Sequence, residues 1–180
     1  MSVRIGPSPA PPPAACVTSL TSGPPPMATA GRAEAGQPQV TGYDQVDALI
    51  KRGDALAASR RWNAARRAYG DAAAVLSEQG RLPAKALRRV ANSYYFEERL
   101  LAAARVLDDL AAEAAAFGDP PIHARALADA AWLYARLGRR WPAKQRLARL
   151  EKLMTSPYLP ANLRARLSDR VGATDVSEIP

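Results

Sequence analysis

Few residues in this chain are able to do covalent or metal chemistry. His123 is the single histidine and Cys16 the single cysteine, and they lie far apart in the sequence. A Cys–His nucleophile pair or a zinc site needs more than these two supply. One cysteine also excludes an internal disulfide. Glu97-Glu98 and Asp108-Asp109 are adjacent carboxylates, but neighbours on a helix do not face each other or converge on one substrate atom. They read as solvated side chains, and His123, just after Pro120-Pro121-Ile122, as a polar surface histidine. No glycine-rich phosphate loop or serine-nucleophile motif is present. The sequence thus predicts a non-enzyme, with no cofactor and no metal.

What remains is binding chemistry. The net charge is +8, carried mostly by arginine, since the only lysines are Lys51, Lys85, Lys144 and Lys152. A basic chain can meet acidic proteins, nucleic acid or anionic lipid. Arg139, Arg140, Lys144, Arg146, Arg149 and Lys152 cluster together, with Glu151 the only acid among them and Trp132 and Trp141 nearby. Charge beside aromatics is what a nucleic-acid surface requires. A solvated helix face is the plainer reading, and Trp141 is expected to close a hairpin as Trp62 does.

These residues must be carried by helices. Val46, Leu49, Ile50, Gly53 and Leu56 fall on one face of an α-helix, and Ala65, Ala68, Tyr69, Ala72, Val75 and Leu76 on a second. The chain is 48% hydrophobic but only 6% aromatic, and alanine supplies much of the apolar count. Such a core suits closely packed helices, and no run of β-branched residues marks a strand. Asp44 is placed to cap the first helix and Gly80 to end the second. Further helices are expected over 83–96, 100–117, 120–137, 141–154 and 160–171. The last carries Leu163, Leu167 and Val171 on one face. A glycine inside a helix costs about 1 kcal/mol relative to alanine, so Gly53 calls for an offset, and close approach of two helix axes supplies one.

The helix pairs repeat. Gly53, Leu56, Trp62, Ala65, Tyr69 and Ala72 are followed, at the same spacings, by Ala91, Tyr94, Leu100, Ala103, Leu107 and Leu110. They are followed again by Ala131, Tyr134, Arg140, Ala143, Leu147 and Leu150. This pattern resembles the tetratricopeptide repeat, with units at 46–79, 84–117 and 124–157 and the family's inter-helix glycine at Gly138. Leu49, Leu87 and Leu127 stand where the family has tryptophan, its closing proline is unmatched, and the copies are spaced wider than its ~34 residues. The resemblance implies an all-α fold: three antiparallel helical hairpins stacked as a short right-handed solenoid, closed by a C-terminal capping helix.

It also implies a function. In that family the first helix of each repeat lines a concave groove, and some members clamp a peptide carboxylate with Lys/Arg and Asn. On that pattern Arg88, Asn92, Tyr95, Arg125 and Trp132 form a peptide-binding groove. Asp129 replaces the next clamp asparagine, and the first unit offers Asp47 and Asp54, so a complete carboxylate clamp is not expected. The expected activity is a protein-interaction scaffold holding a peptide or partner helix; the alternative is a basic helical nucleic-acid binder.

Residues 1–42 are a different polymer, holding nine of the 16 prolines, with Pro11-Pro12-Pro13 and Pro24-Pro25-Pro26 as triplets. This composition predicts a disordered, polyproline-rich tail before a helical domain at 43–172, with 173–180 frayed. Cys16 after Pro13-Ala14-Ala15 resembles the end of a bacterial lipoprotein signal, where the cysteine is lipidated. Prolines occupy the place of the apolar segment such a signal needs, so a free cysteine is the other reading. No apolar run is long enough to cross a membrane. A cytoplasmic location is the default, and a lipid anchor at Cys16 on an extracytoplasmic membrane surface the alternative.

Overall fold

A computed structural model of the chain describes residues 42–172; the tail, Cys16 and residues 173–180 lie outside them. Seven helices follow one another: α1 (Gly42–Ala58), α2 (Trp62–Glu78), α3 (Ala84–Phe96), α4 (Leu100–Ala116), α5 (Pro120–Arg136), α6 (Arg140–Met154) and α7 (Ala161–Gly172). Among the described residues there is no strand, and no helix is long and apolar enough to cross a membrane. The fold is all-α.

Each of the first five helices packs against the next, and α7 returns to lie against α5. The turns that join α1 to α2, α3 to α4 and α5 to α6 are the same turn. Arg60, Glu98 and Gly138 occupy equivalent places and take left-handed φ values of 55°, 59° and 68°. In each, the residue after the left-handed one donates its N–H back to a carbonyl in the last helical turn: Arg61 to Leu56, Arg99 to Tyr94 and Arg139 to Tyr134, all at 2.9 Å. This is the closure that satisfies orphan carbonyls at a helix C-terminus. Of these three, Gly138 alone takes the left-handed φ without a Cβ penalty, as Gly80 and Gly118 do in the turns between α2 and α3 and between α4 and α5.

The helix starts obey similar rules. Asp119 caps α5, accepting from the Ile122 N–H at 2.9 Å, with Pro120 following in the first turn. Asp44 is not a cap: α1 begins two residues earlier, and Asp44 lies within its first turn, where a carboxylate faces the positive end of the helix dipole. Pro83 occupies the N-cap of α3 and is fully buried.

Alanine makes the core. Ala65, Ala72, Ala86, Ala104, Ala114, Ala124, Ala126, Ala130, Ala131 and Ala143 are completely buried. Helix α5 is buried on most of its circumference, because α4, α6 and α7 all pack on it. Small side chains there let three neighbours approach one helix. Leu163 and Leu167 of α7 join this cluster with Leu159 from the preceding turn. A second cluster holds Val46, Ile50, Ala72, Ala73 and Leu76 of α1 and α2 with Ala86 of α3, and Leu87 touches both.

Gly53 has a specific reason to be small. A Cβ there would collide with the ring of Tyr69 on α2. The offset that the glycine needs is this buried ring, held further by Tyr69 Oη donating to Asp54 Oδ1 at 2.7 Å.

Candidate functional site

Three adjoining depressions draw their walls mainly from the odd-numbered helices. One, of about 380 Å³, is lined by Arg88, Asn92 and Tyr95 of α3, Asp129 and Trp132 of α5, and Arg170 of α7, over a floor that includes Ala103 and Leu107. A second, of about 400 Å³, lies toward α1 and is lined by Asp54, Ala57, Trp62, Arg89 and Phe96; it shares Asn92 with the first. A third, of about 220 Å³, lies toward α7 and contains Arg125 and Arg166; it shares Arg88, Asp129 and Arg170 with the first.

Arg88, Asn92, Tyr95 and Trp132 therefore line one depression, and Arg125 borders the adjoining one. On α3, Arg88, Asn92 and Tyr95 share a face because they are spaced four and three residues apart. Asn92 is exposed, while Arg88, Tyr95 and Trp132 are half-buried. Asp129 is the electrostatic centre of this region. Arg170 reaches it at 2.8 Å and Arg88 at 4.0 Å. Burial raises its pKa, while Arg170, Arg88 and Arg125 pull the other way.

Several residues of this face were not expected from the sequence. Phe96 is 64% exposed and stacks near-parallel on Trp62, with centroids 6.0 Å apart. Tyr94-Tyr95-Phe96 is a run of three aromatics on one helix, which cannot all point into one core stripe. That was the available signal for Phe96. Arg170 had none, because only the docking of α7 on α5 brings it beside Asp129.

The other chemistry-bearing residues fall elsewhere. Of the paired carboxylates, Glu98 and Asp109 are exposed, but Glu97 and Asp108 are half-buried and engaged, which corrects the solvated reading of both pairs. Asp108 receives Tyr134 Oη at 2.8 Å and two N–H groups of Arg146 at 2.9 and 2.7 Å. That hydrogen bond is the largest contribution raising the Arg146 pKa. Arg66 meets Glu97 at 2.8 Å as an ion contact without hydrogen-bond alignment, and lies over the Tyr94 ring at 4.2 Å.

In the basic cluster Arg146 is thus spent on Asp108, while Arg139, Arg140, Lys144, Arg149 and Lys152 are exposed. Trp141 is 70% exposed and closes no hairpin: it stands one residue after Arg140, which holds the first position of α6 where α2 has Trp62. His123 is half-buried; burial first, then Arg149, lower its pKa. Among the described residues no group of three or more His, Cys, Asp or Glu is placed to hold a metal ion. Comparison with family models, with curated proteins and with solved structures found no match to this chain.

Proposed function

We propose that residues 43–172 form a tetratricopeptide-like array, three antiparallel hairpins in a short right-handed solenoid closed by α7. On this reading the protein is a non-catalytic interaction module. It holds a peptide or partner helix in a groove along α1, α3, α5 and α7, using Arg88, Asn92, Tyr95, Arg125 and Trp132.

One observation carries this reading: the three depressions are joined through shared residues and draw their walls mainly from the odd-numbered helices. Half-exposed aromatic rings and arginines on such a surface favour ligand contact over core packing. The burial of Ala65, Ala103 and Ala143 at equivalent places of the three second helices supports the repeat. The basic face of α6 is the weaker candidate, because Arg146, its half-buried arginine, is already paired with Asp108.

The test is selection from a random peptide library on the full chain, compared with the Arg88→Glu/Asn92→Ala double variant. Peptides that bind the parent are expected to bind this variant at least about tenfold more weakly, with helicity unchanged by circular dichroism. Peptides that bind both equally would remove the groove.

A further inference from the structure

Four aromatic rings run unbroken across the face just described. Trp62 stacks on Phe96 at 6.0 Å, Phe96 meets Tyr95 edge-on at 5.6 Å, and Tyr95 lies tilted against Trp132 at 6.0 Å. The row crosses from α2 through α3 to α5. Core packing does not explain it, since Phe96 is mostly exposed and the other three rings are half-buried.

The polar groups beside the row are chiefly donors. Arg89 pairs with Asp54 at 3.2 Å, Arg88 approaches Asp129 at 4.0 Å, and Arg136 donates to Tyr95 Oη at 3.4 Å while lying over the Trp132 ring at 5.0 Å. A guanidinium carries five N–H donors and no acceptor, so one ion pair does not exhaust it. The carboxylates are engaged: Asp54 by Tyr69 and Arg89, Asp129 by Arg170 and Arg88. The fitting ligand is rich in acceptors and poor in donors. Asp54 and Asp129 compensate Arg89, Arg88 and Arg170 locally, so of these arginines only Arg136 lacks a carboxylate among the described residues, short of the run of uncompensated cations that a phosphate backbone selects.

We propose that this row docks an extended proline-rich segment of another protein in the polyproline II conformation. The inference rests on the interaction-module reading and names the class of its ligand. Proline lacks an N–H, and polyproline II leaves its carbonyls unpaired. Pyrrolidine rings pack on Trp62, Phe96, Tyr95 and Trp132 while Arg88, Arg89 and Asn92 donate to peptide carbonyls. At ~3.1 Å per residue, the three ring-to-ring steps span at most about five or six residues of such a helix. The ligand is ordered before it binds, which lowers the entropic cost of docking on a shallow surface.

The test uses the full chain and a fluorescein-labelled decaproline, read by anisotropy. Saturable binding is expected, weakened about tenfold or more by Phe96→Ala and by Trp62→Ala. It should change less than about threefold between roughly 50 and 500 mM salt. Phe96 is exposed, so Phe96→Ala leaves the fold intact, which circular dichroism verifies. Failure to saturate, or indifference to both variants, overturns the proposal. So does tighter, steeply salt-dependent binding of labelled oligothymidine. If library peptides bind in a Phe96-dependent manner but lack proline, the ligand class is wrong and the interaction module stands; if no peptide binds, both fall. The same titration with Pro11–Pro13 and Pro24–Pro26 replaced by alanine is expected to match the parent. A tenfold gain there would give the row to the chain's own proline triplets and overturn the assignment to a partner.

Discussion

Gly53 is kept small by the ring of Tyr69, and that contact sets a clear expectation. Gly53→Ala gains about 1 kcal/mol of helix propensity but forces a Cβ into the Tyr69 ring. Overpacking of a tight site costs about 1–3 kcal/mol, so the variant should be destabilised in urea unfolding. Adding Tyr69→Leu should reverse the sign of the Gly53→Ala change. The need for an offset at Gly53 was legible from its place inside a helical stripe. Its source was not, because it depends on where the Tyr69 side chain goes after the turn. Arg60 and Glu98 carry the opposite message. Both hold a left-handed φ where the third turn has Gly138. Arg60→Gly and Glu98→Gly should each raise stability by up to about 1 kcal/mol, read as a higher urea midpoint with unchanged slope.

Asp129 sets a pH dependence at the same scale. Burial raises its pKa, against the pull of Arg170, Arg88 and Arg125. The folded chain therefore binds this proton more tightly than the unfolded chain. As pH rises from the ordinary aspartate value to the raised one, this group makes the unfolding free energy fall; above that window its contribution is level. Asp129→Asn removes the effect. Urea unfolding at a series of pH values should show the variant gaining on the parent as pH rises through the window, then holding a constant difference.

Between elements, Asp108 ties α4 to both helices of the last pair. It accepts from Tyr134 on α5 and from Arg146 on α6, whose guanidinium also lies 4.7 Å from the Tyr134 ring centre. Asp108→Ala leaves a half-buried guanidinium and a buried tyrosine hydroxyl without their acceptor. The expected cost is about 1–3 kcal/mol, and a double-mutant cycle with Arg146→Ala should show coupling of similar size. Additive effects would show that the link is ornamental. Helix positions were readable from apolar spacing, because α-helical periodicity is local in sequence. These cross-links were not: Asp108 looked like half of a solvated pair, and its partners lie on later helices. The apolar stripe of α7 was readable in the same local way. Its seat on α5, which brings Arg170 to Asp129, is long-range.

At the scale of the whole molecule, the account depends on one face of the helical array being the working surface. Arg88, Asn92 and Tyr95 could be grouped from sequence because they sit on one helix at helical spacing. Phe96 and Trp62 belong to the same surface only because the turn between α2 and α3 brings the start of α2 beside the end of α3. The chain's three tryptophans divide between the faces: Trp62 and Trp132 line the connected depressions, whereas Trp141 is exposed at the start of α6. The decisive measurement is the ¹H–¹⁵N spectrum of the three indole N–H groups in the full chain, titrated with the tightest library peptide. The account predicts that the Trp62 and Trp132 signals shift together with one dissociation constant while Trp141 stays in place. A shift of Trp141 alone, or no indole shift at saturation, would contradict it.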